Sequence, residues 1–497
     1  MIISPTLEEF TEQARTRRVI SVHARLLADD QTPVALYQQL CGGREGTFLF
    51  ESADGGVWSR WSFVGVRAAA TLTERDGHAA WIGRELVGIP DDGDPLEVLR
   101  ATLAELATPP ETGLPPFHAG MVGYLGYDVV RRLERLPDTT TDDLGRPELV
   151  MMLASELAIL DHHRGELWLV ANAINFDGTD EGVERAYHTA VGAIEDMAAQ
   201  LRRPRASLVV QEGEPRTPTV IRQRSSEEYR AIVEEAKEEI RAGEAFQIVV
   251  SQRFDVPTSA DAFEVYRALR LTNPSPYLYL LRLPGFDVVG SSPEALVTVQ
   301  DRVATTRPIA GSRPRGATPE ADRSLAEELL ADPKEKAEHL MLVDLGRNDL
   351  GRICAPGSVT VHEFMKVRRY SHIMHLEAAV SGRLREGATG LDAVLSCFPA
   401  GTLSGAPKVR AMEIIDRLEV SRRALYGGVV GYFDFAGNAD VAIAIRTALI
   451  ADGVAHVQAG AGIVADSVPE LEDAECSHKA RAVITAIGRA EAMVAPV

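Results

Sequence analysis

The stretch GGVVGYFDFAGNADVAIAIRTALIADGVAHVQAGAGIVADS, Gly427–Ser467, decides the fold. Three apolar runs, Gly427–Phe435, Val441–Ala451 and Val454–Val464, follow one another and read as consecutive strands. A long helical run, PELEDAECSHKARAVITAIGRAE, closes the chain behind them. Upstream, FQIVVSQRFDV, PYLYLLRL, FDVVGSS and EALVTVQ are further strand runs. SSEEYRAIVEEAKEEIRAG is an amphipathic helix with a serine cap and a glycine stop. Helices are also expected within Thr318–Gly351 and Pro407–Glu419. Strands in clusters, mixed with helices, give an α+β architecture rather than strict βαβ alternation.

The N-terminal half alternates short apolar runs (GTFLFES, WSFVGV, GMVGYLGYDVV, LAILDHH, ELWLVANAI) with glycine turns, again as strands. A polar, proline-bearing tract between Arg202 and Ser225 marks the main boundary. The division is therefore 1–215 and 216–497. The proline-rich Ala107–Phe117 reads as a loop within the first half.

The 497 residues carry a formal charge of −20, from 52 Lys and Arg against 72 Asp and Glu. That disfavours nucleic acid or an anionic membrane as the main partner. It leaves room for an anionic ligand at a locally basic site. Cys41, Cys354, Cys397 and Cys476 show no CxxC spacing, so neither a disulfide framework nor a zinc site is expected. No leader peptide or membrane span is expected, and the reading is a cytoplasmic protein.

Two carboxylate pairs carry chemistry. Glu335 and Glu338 lie three apart in KEKAEHLMLVDL, and Glu472 and Glu475 lie three apart in PELEDAECSHKA. On a helix each pair projects from one face. Four such oxygens suit a hard cation such as Mg2+, which takes few protein ligands and keeps waters that a substrate can replace. Taken alone, either pair reads as a solvated helix face. GAGIVADS, Gly460–Ser467, reads as a small-residue strand-to-loop turn whose backbone N–H groups could cradle an anion.

PIAGSRPRG (Pro308–Gly316), EHLMLVDLGRNDLGR (Glu338–Arg352), SHIMH (Ser371–His375), GTLSGAPKVRAM (Gly401–Met412), YGGVVGY (Tyr426–Tyr432) and GAGIVADS occur in that order. Together they resemble the chorismate-utilising enzymes, and most closely the large subunits of anthranilate synthases. The likeness covers nearly all of Ser225–Gly488 and thins before it.

The resemblance implies large mixed or antiparallel sheets packed as a sandwich with helices outside. It implies Mg2+ held by Glu338 and Glu475, with Glu335 and Glu472 acting through water. It places Gly311, Ser312, Tyr426, Arg446, Gly460, Ala461, Gly462 and Lys479 on the substrate, with Thr402 and Gln247 in the catalytic set. Glu294, in GSSPEAL, matches a general acid for the departing 4-hydroxyl; burial should raise its pKa. His375 matches the histidine tied to pyruvate loss.

Two positions bear on the nucleophile. Relatives that add water carry a lysine base where Gln247 stands here. Those making 4-amino-4-deoxychorismate carry a nucleophilic lysine where Ala310 stands, and alanine forms no covalent adduct. Both point to ammonia attacking C2, hence anthranilate. The alternatives are an aminodeoxychorismate synthase subunit and a non-catalytic amino-acid sensor. No glutaminase triad accompanies the motifs, which implies a separate glutamine amidotransferase subunit, in a heterotetramer. The resemblance further implies a tryptophan inhibitor site at Ser52, in FLFESADGGVWSRWSFVG, with Pro276, Tyr277 and Leu278 of NPSPYLY. Methionine is common at the position of Leu278, threonine at those of Ser312 and Cys476, and arginine at that of Gln252.

Overall fold

The computed structural model describes residues 1–497 except 54–59, 85, 206, 215, 370–372 and 495–497. Its strands join into one extended antiparallel sheet, apart from the small pair Gln211–Glu212 with Met493–Val494. One arm runs from Ile373–Arg383 through Val303–Thr306, Ala295–Gln300, Ala439–Ile443 and Val429–Asp434 to Gly120–Leu125. The other runs from Trp61–Arg75 through Thr47–Glu51, Tyr277–Leu283, Phe286–Ser292, Thr447–Ala451 and Val454–Ile463 to Gln247–Pro257.

Leu149–Asp161 joins them: one edge pairs with Trp61–Arg75, while the other is shared by Gly120–Leu125 and Glu166–Ile174. Strands from both sides of residue 215 thus interleave in one sheet, as Thr47–Glu51 with Tyr277–Leu283 and Gly120–Leu125 with Val429–Asp434.

The two arms face each other across one apolar layer and carry helices on their outer faces, the expected α+β sandwich. Tyr277–Leu283 shows how. Tyr279 and Leu281 enter the middle layer, while Leu278 and Leu280 pack outward against helices such as Ala262–Thr272. A strand covered on both faces has no polar side to show, so its sequence is a continuous apolar run. Burying each such side chain contributes roughly 1.5–3 kcal/mol, so these layers outweigh any surface ion pair, whose contribution is about 0–1 kcal/mol.

The Thr318–Gly351 run is two helices, Pro319–Ala331 and Pro333–Gly351. Asp332 ends the first and caps the second, its Oδ1 accepting from Lys334 N at 2.9 Å and Glu335 N at 3.3 Å. All four cysteines are buried and unpaired. No helix among the described residues is long and apolar enough to cross a membrane.

Candidate active site

The site lies where strand ends of both arms meet the first turns of Pro333–Gly351 and Pro469–Glu491. Glu294 occupies the tight connection between Phe286–Ser292 and Ala295–Gln300. Its carbonyl accepts from Ile443 N at 2.9 Å, and its own N–H donates to Ser292 Oγ at 3.4 Å. These bonds fix the backbone and turn the carboxyl into a pocket of about 430 Å³, open mouth included, which Thr402 also lines. Thr402 Oγ1 donates to Glu294 Oε1 at 3.5 Å.

Burial pushes the Glu294 carboxyl up to about 7, against the opposing pull of Arg446, Thr402 and Lys479. Arg446 sits at the bend between Ala439–Ile443 and Thr447–Ala451 in left-handed backbone, φ 49°. Its carbonyl accepts from Ser291 N at 3.1 Å, which ties the bend to the Glu294 strand. Burial lowers the pKa of its guanidinium, offset in part by Glu294. A desolvated cation beside a protonated carboxyl is a receptor for a carboxylate.

His375 lies opposite Ser312 in the pairing of Ile309–Pro314 with Ile373–Arg383, and Gly311 forms the bulge beside it. Gly311 has φ 63°, and a methyl group there would meet Glu335 Oε2 at 2.8 Å. Glycine is required at this position for both reasons. Burial draws the His375 pKa down, so the ring is neutral at neutral pH. Ser312 is exposed beside it.

The two carboxylate pairs lie near enough to act on one another electrostatically. Glu338 feels Glu335 and Glu475 as well as its own burial, and its pKa is raised. Glu472 is raised by burial and by Glu475. Lys479 bridges the cluster to the strand behind it, donating to Glu475 Oε1 at 2.7 Å and to Gly460 O at 3.1 Å. Among the described residues no three His, Cys, Asp or Glu side chains close into a metal cage. The donors nonetheless suit a hard cation: carboxylates from two helices, held under mutual repulsion, with few protein ligands as Mg2+ prefers.

Gly460–Gly462 lies at the end of the strand Val454–Ile463, with Gly460, Ala461 and Gly462 opposite Ser251, Val250 and Val249, and the chain leaves the sheet after Ile463. The glycines serve close approach. A methyl group on Gly460 would meet Val250 O at 2.5 Å, and one on Gly462 would meet Gln247 Nε2 at 2.4 Å. Pairing with Thr447–Ala451 ends at Val457, so the far edge of this segment has no strand partner among the described residues. The Gln247 amide packs against this strand at Gly462.

Tyr426 is buried beside Arg423, whose guanidinium stands 5.6 Å from its ring, and its hydroxyl pKa is raised by burial. Arg423 and Glu419 form a buried pair that the sequence reading did not single out. Arg423 donates to Glu419 Oε1 at 2.6 Å, to Leu403 O at 2.6 Å and to Val249 O at 2.7 Å. Glu419 accepts from Ser251 N and Oγ at 2.8 Å. The pair ties the strand Gln247–Pro257 to the helical turn Gly401–Leu403. Cys476, in place of the common threonine, donates to Ala459 O at 3.1 Å, while Gln252 Nε2 is buried without a partner.

Of the four residues matched to an inhibitor site, Ser52 follows the strand Thr47–Glu51 and the other three lie at the start of the neighbouring strand, with Leu278 on the opposite face from Tyr277. Leu278 stands opposite Glu51, and Ala53 N donates to Ser275 O at 3.0 Å, so Ser52 faces the Pro276–Tyr277 strand start. Ser52 Oγ is buried without a hydrogen-bond partner. Tyr277 donates to Asp440 Oδ1 at 3.0 Å, and burial holds that carboxyl up at about 6. Residues 54–59 of the FLFESADGGVWSRWSFVG segment, and Ser371 and His372 of SHIMH, lie outside the described residues.

Residues 45–485 match the family described as "chorismate binding enzyme". The chain is 56% identical over 496 residues to anthranilate synthase component 1 of Mycolicibacterium smegmatis, covering 98% of this chain and 94% of that one. The crystal structure of anthranilate synthase component I from Streptococcus pneumoniae superposes with a TM-score of 0.76 at 34% identity, over 86% of this chain and 93% of that one. The menaquinone-specific isochorismate synthase of Escherichia coli shares the fold, with a TM-score of 0.69 at 18% identity over 97% of this chain and 98% of that one. With its acid, its arginine and its two carboxylate-bearing helices gathered at one end of such a sheet sandwich, the chain belongs to the chorismate binding enzyme family.

Proposed function

We propose that this enzyme of chorismate makes anthranilate and pyruvate from chorismate and ammonia, as component I of an anthranilate synthase in tryptophan biosynthesis. The observation that carries the reading is Glu294. It is a desolvated carboxyl held up to about 7, poised to hold a proton and release it to a leaving oxygen. Arg446 and Tyr426 take the enolpyruvyl carboxylate; Lys479, Gly311, Ser312 and the open edge at Gly460–Gly462 orient the ring. Glu338 and Glu475 would hold Mg2+, with Glu335 and Glu472 through water; when bound, it supplies charge against the ring carboxylate.

Glu294, steadied by Thr402, gives its proton to the 4-oxygen as ammonia bonds to C2. The second stage removes the C2 proton and expels pyruvate, and neutral His375 accepts protons there. Gln247, a neutral amide where water-adding relatives place a lysine, leaves no base to activate water. Ala310 leaves no amine for a covalent adduct. Both features favour free ammonia at C2.

Ammonia comes from a glutamine amidotransferase partner in a cytoplasmic heterotetramer. Tryptophan bound at Ser52, Pro276, Tyr277 and Leu278, the first of them in the 1–215 segment, inhibits the catalytic 216–497 segment. Incubating the chain with chorismate, Mg2+ and ammonium should give anthranilate fluorescence, and glutamine in place of ammonium should give none. Glutamine-driven turnover by this chain alone overturns the partner assignment; no product with ammonium overturns the activity.

A further inference from the structure

We infer that the cavity behind Glu294 receives the water made from the departing hydroxyl, and that Thr306 and Asp349 pass a proton back to Glu294 across it. The cavity is lined by Glu294, Thr402, Thr306, Asp349, Cys397 and Leu345, among others. Two polar atoms on its walls stand out. Thr306 Oγ1 and Asp349 Oδ1 are buried and without a hydrogen-bond partner, in residues 7% and 6% exposed. Asn348 neighbours the Asp349 carboxyl yet makes no hydrogen bond of normal geometry to Oδ1. A buried polar atom left unpaired is costly, so two of them on one cavity wall point to a polar guest between them. A water molecule, which takes two to four polar partners, fits that description.

Asp349 is held for this task. Lys408 Nζ donates to Asp349 Oδ2 at 2.9 Å and to Cys397 O at 3.0 Å, which fixes the carboxylate and leaves Oδ1 toward the cavity. Asp349 lies in GRNDLGR and Lys408 in GAPKVRAM, and neither has another role in the site.

The chemistry requires such a path, given the acid role assigned to Glu294 above, on which this inference rests. As the ammonia lone pair forms the C2–N bond, the ring double bonds shift and the C4–O bond breaks with both electrons on oxygen. The Glu294 proton completes a water molecule. The C2 ammonium then loses one proton, and Glu294 must regain one before the next turnover, so the balance is zero. Glu294, Thr402, Thr306 and Asp349 line one cavity, so water formed at Glu294 and a proton returned to it share the same space. Thr306 and Asp349 act through Glu294 and are positioning residues.

The test uses the full chain with Mg2+, chorismate and ammonium. Thr306→Val, which keeps the shape and removes the hydroxyl, should lower kcat at least about tenfold, a modest share of what proton transfer contributes. The KM for chorismate should stay within about twofold and the solvent deuterium effect on kcat should rise; Thr306→Ser should restore the parent rate. Asp349→Asn should behave as Thr306→Val does. If that variant fails to fold because Lys408 loses its partner, Thr306→Val decides. A Thr306→Val enzyme with the parent kcat and isotope effect overturns the relay, as does an equal loss in Thr306→Ser. Glu294→Gln separates the two readings: if it still makes anthranilate the acid assignment fails, and if it is silent while Thr306→Val runs at full rate only the relay fails.

Discussion

His375 Nδ1 lies 2.8 Å from the carbonyl oxygen of Gly311, the bulge residue of the strand beside it. A carbonyl only accepts, so the neutral ring carries its hydrogen on Nδ1 and the lone pair on Nε2. One backbone irregularity thus sets the tautomer of the residue assigned to the second stage. It also explains why glycine sits at 311, where a side chain would strike Glu335.

From that tautomer we expect His375→Ala to separate the two stages. Anthranilate formation should fall by about 10²-fold or more, in the range of general base catalysis. An aminated ring still bearing the enolpyruvyl group should accumulate. Mass spectrometry of the quenched reaction should find the mass of chorismate plus ammonia minus water; loss of both species together would contradict the assignment.

Glu294 should impose an alkaline limit. Its carboxyl is held up to about 7, so the acid form predominates below that pH and is lost above it. The cationic groups acting on it are Arg446 and Lys479. At a constant concentration of free ammonia, kcat/KM for chorismate should fall toward tenfold per pH unit well above 7. Glu294→Gln should lose about 10²–10⁴ in rate, the usual span of a general acid. A flat profile from pH 6 to 9 would sink the acid role.

Glu338→Gln and Glu475→Gln should each raise the Mg2+ concentration needed for half-maximal activity by an order of magnitude or more, as loss of a direct ligand weakens a site with few ligands. Glu335→Gln and Glu472→Gln should act more weakly, because their contacts run through water. Titration of the variants with Mg2+, with no tryptophan added, measures this directly. Equal effects at all four positions would refute the division into direct and indirect ligands.

Ser52→Phe should abolish tryptophan inhibition while leaving the uninhibited rate nearly unchanged, since Ser52 Oγ is buried without a partner at a distance in sequence from every catalytic residue. Inhibition curves for parent and variant check it. Retained inhibition places the effector elsewhere.

Glu419→Ala should cost about 3–5 kcal/mol of stability, the usual effect of stranding one partner of a buried pair. Arg423 would keep its charge with Leu403 O and Val249 O alone as partners. Denaturant unfolding measures the loss. A change below about 1 kcal/mol would mean that water reaches the pair.

The sequence by itself determined the strand runs, the helix caps, the two glutamate pairs and the order of motifs that names the family, because these are local patterns of apolarity and spacing. Tyr279 and Leu281 against Leu278 and Leu280 could be read as a buried strand, but which neighbour each face meets was set only by folding one sheet into two facing arms. Gly460–Gly462 could be read as the end of a strand run, but the need for glycine there was set by the tertiary structure, in which Val250 and Gln247 approach closely from far away in the chain. The same holds for Arg423 with Glu419, and for Thr306 and Asp349 beside Glu294. Their roles depend on desolvation and on partners distant in sequence, and neither quantity exists until the layers pack.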